Sequence, residues 1–160
     1  MRHTILLGIL SILPLFLGKS QTYGTASHTI TVTVATITNV QVSGGAVSFT
    51  ITGANAVAGQ NTMSATNQAT SLLWGINSSL KKITVRTNLA TQLFSLELLA
   101  LSPTSGTAAP QVTINNTAQD FLTNLGRTTG NCTLQYTAVA LASQGTGTDS
   151  HTITFTIATQ

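Results

Sequence analysis

The chain has 160 residues, of which 42% are hydrophobic and only 6% charged, with a formal net charge of +3. A typical soluble domain is about one quarter charged, so solubility here rests on hydroxyls and amides, an unusual surface for a freely diffusing cytosolic enzyme. The six cations are not clustered on one face, which excludes the electrostatic footprint of a nucleic-acid binder.

The N-terminus reads Met-Arg-His-Thr and then an apolar run from Ile5 to Gly18, interrupted by Pro14 and closed by Lys19. The run is shorter than the roughly 20 residues that a membrane span needs, and its cationic start and small residues beyond predict a secretory signal peptide over 1–20. Cleavage fits after Ser20 or after Ala26, and Ser20 is preferred. The mature chain then holds Lys81, Lys82, Arg86 and Arg127 against Glu97, Asp120 and Asp149, so most of the basic character leaves with the signal. The expected organisation is a short segment over 21–27 and one domain over 28–160, located outside the cell or on its surface, with no membrane span remaining. Thr supplies 30 of residues 21–160.

Period-two alternation of apolar and polar residues, the mark of a half-buried strand, recurs along the domain. Ile30, Val32 and Val34 alternate with Thr29, Thr31 and Thr33. Val47, Phe49 and Ile51 follow, across a Gly44-Gly45 pair that predicts a tight hairpin. The apolar phase slips near Ala35–Asn39, which predicts a bulge or a strand that changes sheet. Further alternating runs centre on Ile83 and Val85, on Phe94, Leu96 and Leu98, on Val112 and Ile114, on Leu134 and Tyr136, and on Ile153, Phe155 and Ile157. Thr117 with Asp120 three residues on predicts one helical turn over 117–125. Turn-forming clusters at Ser43–Gly45, Gly53–Gly59, Asn77–Ser79, Ser102–Pro110, Gly126–Gly130 and Gly145–Gly147 separate these runs. The fold class read from this pattern is all-β: one immunoglobulin-like, antiparallel two-sheet sandwich of about seven to nine strands with one short helical turn. Val47, Phe49, Ile51, Phe94, Leu96 and Tyr136 are its expected inward residues.

One repeat stands out from the composition. Ser27–Ala35 is SHTITVTVA and Ser150–Ala158 is SHTITFTIA, identical at seven of nine positions, with both changes conserving the apolar face. Either a Thr-biased chain repeats itself by chance, or both segments suit the same kind of sheet edge. The second reading nominates Ile30, Val32, Val34, Ile153, Phe155 and Ile157 as an assembly strand pair.

Catalytic chemistry finds little footing. The mature chain has two His, one Cys and three widely spaced carboxylates, and none of the common nucleophile, metalloprotease or phosphate-loop motifs occurs. The expectation is a protein that is not an enzyme and needs no cofactor. His28 and His151 occupy matching places in the repeat and would approach a zinc ion only if their strands pair and Asp149 joins them; strand-initial His in solvent is the plainer reading. Cys132 has no partner for an intramolecular disulfide, so it is a small buried group or a link between chains. Trp74, among Leu72, Leu73 and Ile76, reads as core rather than as a sugar-stacking platform. Three glycosylation-type triplets, at Asn77, Asn115 and Asn131, are expected by chance in so Asn- and Thr-rich a chain.

The signal, the HTITVTV strand, VQVSGGAVSFTI and the closing alternating strand resemble secreted bacterial Thr-rich β-sandwich proteins and, more distantly, pilin-like sandwiches of the spore coat U and chaperone–usher pilin group. The likeness covers 28–160 in layout and departs from those pilins in lacking a disulfide. It implies a structural subunit of a filament, pilus or coat, joined to itself or to related surface subunits by edge-strand pairing. The alternative is a stand-alone secreted binding module for sugars or a cell-surface partner.

Overall fold

The computed structural model describes residues 24–160, so the predicted signal segment lies outside the described residues. The chain divides into two units after Thr33. In the first, residues 24–33 carry neither helix nor strand pairing and are exposed throughout. The second, Val34–Gln160, holds nine strands: β1 (Thr38–Ser43), β2 (Thr62–Ile76), β3 (Lys81–Thr87), β4 (Ser95–Leu101), β5 (Thr107–Ala108), β6 (Val112–Thr113), β7 (Gln119–Leu125), β8 (Thr128–Leu141) and β9 (Ile153–Thr159). They form two antiparallel sheets, ordered β1-β2-β8-β4-β6 and β5-β7-β3-β9. The expected two-sheet sandwich is therefore the fold. Among the described residues no helix is long and apolar enough to cross a membrane.

Strand alternation places the core. Leu72, Trp74 and Ile76 of β2, Leu96, Leu98 and Ala100 of β4, and Cys132, Leu134 and Tyr136 of β8 point inward from the first sheet; Ile83 and Val85 of β3 and Phe121, Leu122 and Leu125 of β7 meet them from the second. Trp74 fits because Gly130 lies beneath it: a Cβ at Gly130 would stand 2.5 Å from the indole ring. The burial expected of Trp74 and Cys132 is found, at 4% and 2% exposure.

Several sequence expectations are corrected. The segment 117–125 is strand β7 and not a helical turn. Asn115 Oδ1 accepts the Thr117 N–H at 2.8 Å, an Asx turn in place of the capping box. Register shifts between β3 and β7, together with a left-handed Asn124 (φ 57°), let the adjacent Phe121 and Leu122 both turn inward, which hides the period-two signal. The helical turns that do occur are 3-10 turns at Gly53–Asn55 and Ala142–Gln144. The hairpin at Gly44-Gly45 is absent: β1 pairs with β2, and Val47, Phe49 and Ile51 follow outside any strand, half-buried. Gly44 is still required, because φ is +109° and a Cβ would meet the Ala69 carbonyl at 2.9 Å. Of the six expected core residues, Leu96 and Tyr136 are buried and the other four only half-buried.

Burial has a consequence for Cys132. Desolvation pushes its thiol up to about 11, against a smaller opposing hydrogen bond from the Leu72 backbone. Because the thiolate is the nucleophile, the native protein should resist an aromatic disulfide reagent at neutral pH and react once unfolded in urea. Prompt labelling of the native protein would mean that the thiol is accessible.

Candidate functional site

Four strands form sheet edges: β1, β5, β6 and β9. An open edge offers unpaired backbone groups to any passing strand, and natural sheets blunt it by shortness, charge, Pro or bulges. Two edges are blunted by shortness, since β5 and β6 have two residues each. β1 and β9 have six and seven residues, and neither carries a charge or a Pro. These two long edges belong to different sheets yet lie side by side.

Along this seam the core is incompletely covered. One strand further in, Leu72, Trp74 and Ile76 on β2 and Ile83, Val85 and Thr87 on β3 are buried. At the seam, Val40 on β1 and Ile153, Phe155 and Ile157 on β9 share the same inner faces but are only half-buried. Val42, opposite Leu72, is 43% exposed. Phe155 packs against the buried Phe121, its ring tilted 52° at 5.7 Å between centroids. The seam is thus a strand-length apolar strip beside main-chain groups that pair with no strand among the described residues.

β9 is held firmly at both ends. Before it, Asp149 Oδ2 accepts the N–H groups of Leu93 and Phe94, both at 2.8 Å. His151 Nδ1 and Thr87 Oγ1 share a hydrogen bond of 3.1 Å, and the Thr152 N–H donates to Asn88 Oδ1 at 2.7 Å. After it, the Gln160 N–H donates to the Leu80 carbonyl at 2.9 Å; Gln160 Oε1 accepts the Asn124 backbone N–H at 2.7 Å, and Gln160 Nε2 donates to Asn124 Oδ1 at 3.1 Å. Near the start of β1, Asn77 Oδ1 accepts the Ile37 N–H and Asn77 Nδ2 donates to the Ala35 carbonyl, both at 2.7 Å. This amide of the first glycosylation-type triplet is thus engaged in the fold.

The six nominated assembly residues divide into two sets. Ile153, Phe155 and Ile157 line the seam from β9, as expected. Ile30, Val32 and Val34 do not form the first strand of a sheet; they stand 74%, 81% and 70% exposed in a segment without strand pairing. The alternation there is strand-like but has no partner strand among the described residues, and the phase slip near Ala35–Asn39 marks where β1 begins. The sequence reading missed the half-covered seam, for which alternation carries no signal.

The other candidates have structural occupations. Asp120 Oδ1 pairs with Lys82 Nζ at 2.8 Å, and Glu97 accepts a hydrogen bond from Gln111 Nε2. Among the described residues no group of three His, Cys, Asp or Glu side chains is placed to hold a metal ion. His28 is exposed, whereas His151 is part-buried 4.0 Å from Asp149. A cleft of about 510 Å³ beside Pro110, Gln111, Asn115 and Asp120 has no aromatic ring in its lining.

Burial lowers the His151 pKa, with Asp149 opposing the shift. The folded state therefore keeps the imidazole neutral where the unfolded chain takes a proton, below the ordinary value of about 6.5. Stability contributed by this group is complete above that value and is lost as pH falls through the folded pKa. Urea titrations should give a stability that drops on acidification below about pH 6.5, and His151→Gln should flatten the drop. An unchanged slope in the variant would remove His151 from this account.

Compared with known protein families, curated proteins and solved structures, the chain matches none.

Proposed function

We propose that the chain is an exported structural subunit of a cell-surface filament, pilus or coat, without catalytic activity, assembled by edge-strand pairing between copies. One observation carries this reading. The domain has a long, uncharged edge, β9, with a half-covered apolar row beneath it, and the same chain holds a segment of nearly the same sequence whose apolar side chains stand in solvent. Strand addition satisfies both: main-chain bonds supply affinity, and alternate side chains fill the seam. The segment of one copy on β9 of the next is a head-to-tail contact, which propagates into an open polymer unless its rotation closes a ring. A hydroxyl-rich surface with few charges lets such copies stack without mutual repulsion. The resemblance to pilin-like sandwiches read from the sequence agrees with this reading.

Sedimentation velocity at rising concentration tests it. The expected result is growth beyond the monomer, suppressed by excess free peptide of the Ser27–Ala35 sequence. A monomer at every concentration would contradict the proposal.

A further inference from the structure

On the assembly reading just given, the way in which the incoming strand lies on β9 follows from the ladder that β9 already makes. The β3–β9 register runs from Thr87 opposite Ile153 to Lys81 opposite Thr159. Just beyond its two ends the Asn88 N–H donates to the Thr152 carbonyl at 3.2 Å and the Gln160 N–H to the Leu80 carbonyl at 2.9 Å. In an antiparallel ladder, pairs that exchange hydrogen bonds alternate with pairs that do not. The even-numbered residues of β9 therefore direct their N–H and C=O groups to β3, and Ile153, Phe155 and Ile157 direct theirs to the open side. The residues that point their side chains into the seam are the ones whose backbone groups have no partner among the described residues.

Directly opposite residues in an antiparallel pair share a face and, in a hydrogen-bonded pair, exchange both bonds. The incoming strand must then present an apolar side chain and free backbone groups at the same three alternate positions. Ile30, Val32 and Val34 meet that demand, with Thr29, Thr31 and Thr33 turned outward beside Thr154 and Thr156. Only one antiparallel register sets all three against β9: Ile30 opposite Ile157, Val32 opposite Phe155 and Val34 opposite Ile153. A slip of two residues leaves one apolar side chain unmatched, and a slip of one turns the whole apolar set to solvent. A parallel alignment keeps the faces but suits sheets covered on both sides, whereas apolar-in, hydroxyl-out alternation is the pattern of an antiparallel sheet wetted on one face. Every strand pair in the domain is antiparallel.

We infer that Ser27–Ala35 of a second copy docks antiparallel on the free edge of β9 in the register Val32 opposite Phe155. The partner of the seam is thereby a second copy of this chain, read by three hydrogen-bonded residue pairs.

Cysteine cross-linking between separately prepared full-length chains tests it. In this register Thr29 faces Ala158 in a pair without hydrogen bonds, Cα atoms about 4.5 Å apart, within the range for a disulfide. In the parallel alignment Thr29 instead lies beside Thr152, about 20 Å further along β9. Thr29 and Thr152 are exposed and Ala158 is small, so each single variant keeps the fold, and Cys132 is buried. T29C mixed with A158C should give a disulfide dimer under mild oxidation, several-fold stronger than T29C mixed with T152C. A dimer with T152C instead would overturn the polarity and leave assembly standing. No dimer with either partner, while the mixtures still sediment as polymers, would show that β9 is not the docking strand. No dimer and no polymer would overturn this inference together with the assembly reading on which it rests.

Discussion

Val32→Lys should abolish assembly and leave the domain folded. Val32 is 81% exposed and belongs to no strand among the described residues, so its replacement leaves the buried core residues unaltered. Exposed substitutions of this kind usually shift stability by no more than about 0.5 kcal/mol. In the proposed assembly the same side chain enters the seam opposite Phe155, where a lysine ammonium meets apolar neighbours and an uncharged strand. A charge left buried and unpaired at an interface costs about 2–5 kcal/mol, and each 1.4 kcal/mol is about tenfold in affinity. Association should therefore weaken by at least about thirty-fold. Sedimentation would report the loss of polymer, and a urea titration an unchanged midpoint. A variant that assembles like the wild type would contradict the docking role of Val32, and one that unfolds would contradict its exposure.

Phe121→Ala has the largest expected effect on the fold. The ring is fully buried on β7 and packs against Phe155, joining the centre of the core to the seam. Deleting a buried Phe to Ala typically costs about 3–5 kcal/mol through lost transfer energy and the cavity left behind. Against a typical total of about 5–15 kcal/mol, that is a large fraction, and the urea midpoint should fall accordingly. Phe49→Ala, which removes a half-buried ring lying outside any strand, should cost clearly less. A loss below about 1 kcal/mol for Phe121→Ala would place the core elsewhere.

These two residues also mark how far the sequence could be read. Where one face of a regular strand is buried, alternation identified it: Ile83 and Val85, Leu96 and Leu98, Leu134 and Tyr136, and Ile153 to Ile157 all lie on strands with that face inward. Phe121 escaped because the irregular β3–β7 register buries two neighbours in a row, which imitates a helical turn. The first half of β2 escaped for a different reason: of its inward positions Met63, Ala65 and Asn67 only Met63 is large and apolar, which makes no alternating run, and a register irregularity follows between Asn67 and Thr70. Val47 and Phe49 show the converse error. Their alternation is that of a strand, yet they cover the core without joining a ladder, because β1 and not this segment pairs with β2.

The candidate site was legible by halves. Near-identity of Ser27–Ala35 and Ser150–Ala158 drew both segments out of the sequence, but a shared pattern does not distinguish a strand inside a sheet from one without a partner. That distinction rests on which edges are long, which are blunted and where the core is left half-covered. Those properties arise from the whole topology. The shortness of β5 and β6 bears on the proposal as much as the residues of β9, because it leaves β1 and β9 as the two long edges.

The central claim is that exposed Ser27–Ala35 and the open β9 edge are two halves of one repeating contact. Negative-stain electron microscopy of the purified wild-type protein tests it most directly. Linear polymers with a repeat of one domain are the expected result, absent in Val32→Lys prepared in parallel. Isolated single-domain particles in the wild type, at concentrations where the protein remains folded, would contradict it.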